Sequence, residues 1–332
     1  MRVLVFALLM FVVAVASRAD SGLKISDVAI NSPAASMTIS GFGFFNGGPD
    51  KPSPRLIGYR LRNPLFSDYS EKQRFIYLPE GTKIDTDADG RIQFPVGAAL
   101  IKNFGYRDAS GKLDIIETRL LLHQAEGWLA LPYVWRPDRS NADLKVGGAR
   151  LPVSFKKPNG QDMAISYSVP NKNQCKQCHS SNGKIVPIGP TVTNMVFTGV
   201  QGDPFAVSAV EAAWDDPAAK LDDRAQAYLR INCGHCHKPS GSASNSGLFF
   251  DDHIGGGAAQ GIGKRPVAAG RGSGNFDFVI EPGHPERSIL IHRMKSTDPG
   301  VAMPELGRAT AHDEGVKLLD EWIRGMKPTT TP

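Results

Sequence analysis

IIETRLLL (115–122) is one of a series of short runs rich in Ile, Leu, Phe and Tyr. RFIYL (74–78), RIQF (91–94) and AALIKNF (98–104) precede it, and Gly, Pro and Asp punctuate the series every ten residues or so. Runs of this length with turn signals at this spacing predict an antiparallel β domain, sandwich-like, over residues 20–170. GWLALPYVW (127–135) adds large apolar side chains that suit a core better than a cofactor pocket.

Beyond residue 170 the texture changes. All four cysteines of the 332-residue chain fall in two motifs, CKQCH (175–179) and CGHCH (233–237). Exported chains usually spend cysteines on disulfides, but each pair here is a C-x-x-C followed at once by histidine. On a helical turn the sulfurs at i and i+3 share one face and can form thioethers with the two vinyl groups of a haem. The next residue then sits over the iron, which makes His179 and His237 the expected proximal ligands and His235 a bystander. A four-thiolate zinc site would give no reason for a histidine after both pairs. A redox dithiol would be surrounded by a thioredoxin-like pattern, and neither pair is.

Around the second motif, LDDRAQAYLRIN (221–232) reads as an amphipathic helix, with Leu221, Ala225, Tyr228 and Leu229 apolar and Asp222 and Asp223 in the first turn. Thr310 and Asp313 form a capping-box signal before VKLLDEWIRGM (316–326), where Val316, Leu319, Trp322, Ile323 and Met326 recur at helical spacing. These two helices are expected to pack on each other. Between them lies VAMPELG (301–307), whose Met303 can supply a thioether to iron as sixth ligand. Met294 is the fallback, although it and Met326 read better as core filler.

With helix, CGHCH, AMP and C-terminal helix in order, residues 205–332 resemble an α-helical class I cytochrome c domain. The chain as a whole resembles a family of bacterial dihaem c-type cytochromes. NPLFSDYSEKQRFIYLPEG, FPVGAALIKNF, IETRLLLHQAEGWLALPYVW, PNKNQCKQCH, PIGP, INCGHCHKPSG, GKRPVAAGRGSG and MPELGR carry that resemblance from about residue 59 to the end. It implies two covalently bound haem c groups, at Cys175/Cys178 and Cys233/Cys236, with His179 and His237 as ligands. The fold expected is therefore α+β: a β domain over 20–170, a first haem-binding segment over 171–204, and a cytochrome c domain over 205–332. For the sixth position of the first haem, His123 in LLLHQ ranks ahead of Met195 and Met163; with none of them bound, that iron would be open.

The N-terminus, MRVLVFALLMFVVAVASRADS, has a basic Arg2, an apolar run from Val3 to Val15 and small residues after it. This predicts a signal peptide over 1–19 and a periplasmic mature protein without a membrane span. Net charge, +5 overall and +3 without Arg2 and Arg18, is too small and dispersed for nucleic acid.

Two further motifs read as loops. DTDADG (85–90) copies the start of a calcium loop, but Val96 stands where a bidentate Glu is required, so a hairpin turn is expected. GGGAAQGIGKR (255–265) fails as a phosphate loop, with Ala258 at the first glycine and Arg265 at the Ser/Thr position. It is expected to cover a haem and to offer Lys264, Arg265 and Arg271 to propionates or a partner. His253, His284, His292 and His312 read as ordinary histidines, and no nucleophile or carboxylate pair stands out. The function expected is electron relay between redox protein partners rather than catalysis. The alternatives are a dihaem peroxidase-like enzyme with an open first haem, and the cytochrome subunit of a periplasmic dehydrogenase.

Overall fold

A computed structural model describes residues 24–198, 210–251, 256–268 and 270–327. The signal peptide expected over 1–19 lies outside them, as does His253.

Chain order begins with a helix, α1 (Asp27–Asn31), followed by β1 (Ile57–Leu61), β2 (Glu71–Tyr77), β3 (Asp85–Thr86), β4 (Ile92–Gln93), β5 (Ala99–Arg107), β6 (Leu113–Gln124), β7 (Gly127–Trp135) and β8 (Ala142–Leu144). A hairpin follows, β9 (Ala149–Lys156) and β10 (Asp162–Val169). Next come α2 (Lys172–Cys178), β11 (Ser180–Ser181), β12 (Lys184–Ile185), β13 (Met195–Thr198), α3 (Leu221–Asn232), α4 (Ile289–Lys295) and α5 (Asp313–Arg324).

The centre is a seven-stranded antiparallel sheet in the order β13-β1-β2-β5-β6-β7-β8. Period-two alternation gives it two different faces. Tyr77, Ala99, Ile101, Leu120, Leu122, Leu131, Tyr133 and Trp135 point to one side, where Ile25, Ile30, Ile39, Phe42 and Phe44 from the N-terminal segment close over them. Each such fully buried apolar side chain contributes about 1.5–3 kcal/mol. The segment is pinned by Ser26 capping α1 and by the Tyr77 hydroxyl donating to Asp27 Oδ1 at 2.7 Å. A bulge at Phe104/Gly105 bends β5. Only glycine fits there, because a Cβ on Gly105 would lie 2.4 Å from the Asp114 carbonyl oxygen.

On the opposite face, Tyr59, Ile76, Leu100 and Met195 pack with Ile92, Phe94 and Ala98. DTDADG forms the expected hairpin, β3 pairing with β4 and Asp87 Oδ1 accepting from the amides of Asp89 and Arg91. The β9/β10 hairpin packs Phe155 and Tyr167 on Tyr106 and Ile116.

Two expectations about the fold need correcting. The N-terminal region is not sandwich-like: it is one large sheet, covered on one side by α1, a 3-10 turn and irregular chain, with two separate two-stranded hairpins, β3/β4 and β9/β10. Nor does an α-helical class I cytochrome c domain follow it. The five helices among the described residues are short, and the sheet dominates the molecule. After residue 210 the α-helices span 12, 7 and 12 residues, joined by 3-10 turns and irregular loops. Glycine explains this, since Gly261, Gly263, Gly270 and Gly274 take positive φ in the tract before α4 and cannot continue a helix. The sheet also reaches past residue 170, because β13 returns to pair with β1 through Leu61 and Met195.

The two helices expected around the second motif do form. α3 and α5 share a cluster with α4 built from Ala225, Leu229, Met294, Val316, Leu319 and Ile323, and Trp322 Nε1 donates to Asp222 across them at 2.8 Å. α5 takes His312 rather than Thr310 as its N-cap, with no side-chain capping bond. No helix among the described residues is long and apolar enough to cross a membrane.

Candidate functional site

Cys175 and Cys178 ride on α2. Its start is fixed by a reciprocal cap: Gln174 N–H donates to Asn171 Oδ1, and Asn171 N–H to Gln174 Oε1, both at 2.9 Å. His179 closes the helix, its amide bonded to the Cys175 carbonyl at 3.0 Å. The chain then reverses through Asn182 (φ 50°) and Gly183 (φ 75°), the Asn-Gly pair favoured in a tight two-residue turn between β11 and β12. That reversal returns Val186 to His179. The Val186 carbonyl accepts from His179 Nδ1 at 2.8 Å while its amide donates to the His179 carbonyl at 2.8 Å. A carbonyl can only accept, so Nδ1 carries the proton and Nε2 keeps its lone pair. Burial also pushes the His179 pKa down to about 4, which favours the neutral ring.

The second motif ends α3 in the same way. His237 is 8% exposed, its amide meets the Cys233 carbonyl at 2.9 Å, and its Nδ1 lies 3.1 Å from Ser246 Oγ. The Ser246 hydroxyl donates to the Ala243 carbonyl at 2.7 Å, which leaves its oxygen to accept from the ring. Phe250 stands edge-on to that ring, 5.7 Å between centroids. Gly234 is required in the motif, since a Cβ there would lie 2.6 Å from the Arg230 carbonyl oxygen and 2.9 Å from that of Phe250.

The motifs touch. The Cys178 and Cys236 side chains lie against each other, and the contact pushes Cys178 up and pulls Cys236 down. Burial pushes Cys233 up to about 12 and also raises Cys175. Asn182 N–H donates to the Ser240 carbonyl at 2.9 Å, and Ser181 and Ser240 hydroxyls lie 3.0 Å apart. All four cysteines are free thiols. Among the described residues, no three His, Cys, Asp or Glu side chains gather as ligands of one ion.

Between the sheet and the helices lies a cavity whose empty space, mouth included, is about 1250 Å³. A small-molecule pocket is ordinarily about 300–1,000 Å³. Cys178, His179 and His235 enter it from the two motifs, and Met294, Met303 and His312 from the C-terminal elements. Leu61, Leu100, Leu121 and Ile188 supply apolar wall.

Met303 is held by its backbone. Its amide donates to the Arg293 carbonyl at 3.0 Å, and Arg308 Nη2 donates to its carbonyl at 3.1 Å. Arg308 also reaches the carbonyls of Pro304, Thr310, Arg293 and Ser296, so one guanidinium ties the whole loop. From the sheet side, Asp68 Oδ1 accepts from Ala309 and Thr310 amides at 2.7 and 2.9 Å. Asp68 and its neighbour Tyr69 sit at φ 50° and 59°, a conformation uncommon for residues with side chains.

No family model, curated protein or solved structure matches the chain.

Of the residues predicted from sequence, the cavity brings together Cys178, His179, Met303 and the fallback Met294. Cys175, Cys233, Cys236 and His237 are not among its lining residues. His123 stands outside the lining: its Nδ1 is taken by the Phe94 carbonyl at 2.8 Å and its ring stacks on Trp128 at 4.5 Å. Met195 pairs within the sheet and Met163 packs in the hairpin cluster. Lys264, Arg265 and Arg271 are already engaged, by the Gly247 carbonyl, Asp277 and Asp298 respectively.

Two other histidines face the cavity instead: His235, read as a bystander, and His312, read as ordinary. His235 enters beside His179, its Nδ1 3.3 Å from the Ile231 carbonyl. His312 is stacked 4.2 Å over Phe66, with Nδ1 3.0 Å from the Tyr228 hydroxyl, and burial pushes it down to about 4. Spacing alone gave no sign of either. The cluster of polar and aromatic residues in NPLFSDYS (63–70) was the available signal for His312 and Arg308, since that loop supplies Phe66 and Asp68 to them.

Proposed function

We propose that the chain is an exported dihaem c-type cytochrome that relays electrons between redox protein partners. The observation that carries this reading is the shared preparation of the two C-x-x-C-H histidines. Each is buried or half-buried, each has Nδ1 engaged by a protein oxygen, and each therefore offers Nε2. Orientation of a ligating imidazole through its other nitrogen is the usual support of a metal-bound histidine. The thiols suit attachment as well, since all four are free and each pair spans one turn ending in its histidine.

Haem, when bound, supplies a one-electron iron couple tuned by its axial ligands and surroundings. Cys175 and Cys178 would hold the first group with His179, and Cys233 and Cys236 the second with His237. Met303 is the sulfur ligand proposed for the second. The cavity offers His235 to the first in place of His123, whereas His312 has Nδ1 against the Tyr228 hydroxyl and Nε2 3.7 Å from Glu314. The chain's own residues do the rest: Val186 and Ser246 fix the imidazoles, Arg308 fixes the Met303 loop, and the apolar wall limits water. Contact between Cys178 and Cys236 sets the two attachment sites side by side, which suits a relay. A periplasmic location follows from the signal peptide read at residues 1–19.

Electron paramagnetic resonance of the oxidised, haem-matured protein tests this, with carbon monoxide added after reduction. Two low-spin signals and no carbon monoxide uptake are expected. A high-spin signal with one carbon monoxide bound per chain would replace the relay by an enzyme with an open iron, to be assayed with peroxide.

A further inference from the structure

The cavity-facing side of the sheet carries an arrangement that sheets avoid. Tyr59 on β1 lies opposite Arg74 on β2, Arg74 opposite Lys102 on β5, and Lys102 opposite Arg119 on β6. All four side chains line the cavity. Directly opposed residues on neighbouring strands bring their Cβ atoms to about 4.5–5.5 Å, and like charges so placed repel. Three cations in one row are therefore a cost that burial increases.

Only one of the three is neutralised. Arg119 forms a two-point pair with Glu117, at 2.6 and 2.8 Å, with the Tyr167 hydroxyl alongside. Among the described residues, neither Arg74 nor Lys102 forms an ion pair, although Lys102 feels the Glu117 carboxylate held by Arg119. Arg74 is 7% exposed, and its Nη2 is buried with no hydrogen-bond partner. The Lys102 ammonium stands 4.8 Å over the Phe104 ring. Arg308 adds a fourth cation to a lining that contains no Asp or Glu. Burial lowers the pKa of Lys102 well below the usual lysine range, with the neighbouring cations Arg74, Lys72 and Arg119 pushing the same way, and burial pulls Arg74 down too.

We propose that Arg74 and Lys102, positioned by the Arg119–Glu117 pair, form a binding site for a carboxylate or similar small oxyanion in the cavity that His179 enters. An orphaned guanidinium is a planar fork of donors matched to such a group. The carboxylate has two sources. One, which rests on the proposed function, is the pair of carboxylates on a haem held by Cys175 and Cys178. The other is a free oxyanion that enters from solvent. The loop cations expected to serve the first purpose, Lys264, Arg265 and Arg271, are already paired, which leaves this row to do it.

The test compares the haem-matured protein with Arg74→Gln and Lys102→Met, and with Arg74→Lys and Lys102→Arg as charge-conserving controls. Optical redox titrations follow both haems, and acetate and nitrite titrations follow the visible spectrum and the melting temperature. If the occupant is the haem's own carboxylate, the neutral variants shift one haem's equilibrium about tenfold toward the oxidised form, about 59 mV for one electron. The other haem and the charge-conserving variants then stay near wild type, and added anions do nothing. If the occupant is free, acetate or nitrite shifts the wild-type spectrum or melting temperature saturably, and the neutral variants weaken that binding at least tenfold. The proposal is overturned if neutral variants leave both potentials unchanged and no anion response appears. Should the mature chain carry no haem, the preceding reading falls, and the anion titrations on the melting temperature still decide this one.

Discussion

The same five-residue motif is housed in two unlike settings. CKQCH ends a short capped helix against a sheet face that carries cations, and its histidine opens into a large cavity. CGHCH ends a longer helix inside an apolar cluster, with Cys233 packed against the cluster and His237 beside Phe250. One imidazole is held by a backbone carbonyl, the other by a serine hydroxyl. The two settings thus differ in charge, access to solvent and rigidity, which are the levers on redox potential if each motif holds the haem proposed for it.

Removing attachment sites gives the largest effect. Cys175→Ser with Cys178→Ser should leave one covalent haem per chain with the helical cluster intact. Cys233→Ser with Cys236→Ser should also leave one, but with a lower melting temperature, because Cys233 packs into that cluster. Equal melting temperatures for the two double variants would remove the structural half of the contrast.

Arg308→Ala comes next. Its guanidinium satisfies five carbonyls around the Met303 loop, and hydrogen bonds from a charged donor contribute more than neutral ones. A loss of about 2–4 kcal/mol in urea unfolding is expected. Loss of the far-red absorption band of methionine-ligated ferric haem should accompany it.

A smaller effect concerns pH. His312 is held near 4 in the folded state by burial, below its unfolded value of 6.5. The unfolded chain therefore binds the extra proton first, so this stabilisation is present above about pH 6.5 and is lost as pH falls toward 4. Stability should drop by about 2 kcal/mol from this residue between pH 7 and pH 5. Replacing it, as in His312→Gln, should flatten the urea-unfolding profile by that amount; an unchanged slope would show that the ring is not buried as described.

Ser246→Ala should give the smallest change, about 1 kcal/mol, because it deletes the hydroxyl that accepts from His237. Only the second haem's spectrum should respond. The first has no counterpart that a side-chain change can delete, since its acceptor is the Val186 backbone.

Much of this was legible from residue order. The strands followed from short apolar runs such as AALIKNF and IIETRLLL, and the helical turn that each C-x-x-C-H histidine closes followed from spacing. The sheet's single-layer form was not, because the residues that close one face, Phe42 and Phe44, lie in a one-turn 3-10 helix and the chain just after it, too short for a period to read. The class I helical domain was expected from the order of a helix, CGHCH, AMP and a second helix. Gly261, Gly263, Gly270 and Gly274 turn the described chain there, and β13 draws nearby chain into the sheet. His123 was drawn from a strand, but alternation does not say how far along a face the cavity extends, and it stops at Leu121. The cation row escaped for a related reason: Arg74, Lys102 and Arg119 become neighbours only through strand register.

The central claim is two covalent haems on one chain, and intact mass with metal analysis of protein matured in a host competent for cytochrome c assembly tests it most directly. The account predicts a polypeptide carrying two haem masses that denaturation does not remove, two irons per chain and no zinc. A bare polypeptide mass with zinc and no iron would contradict it.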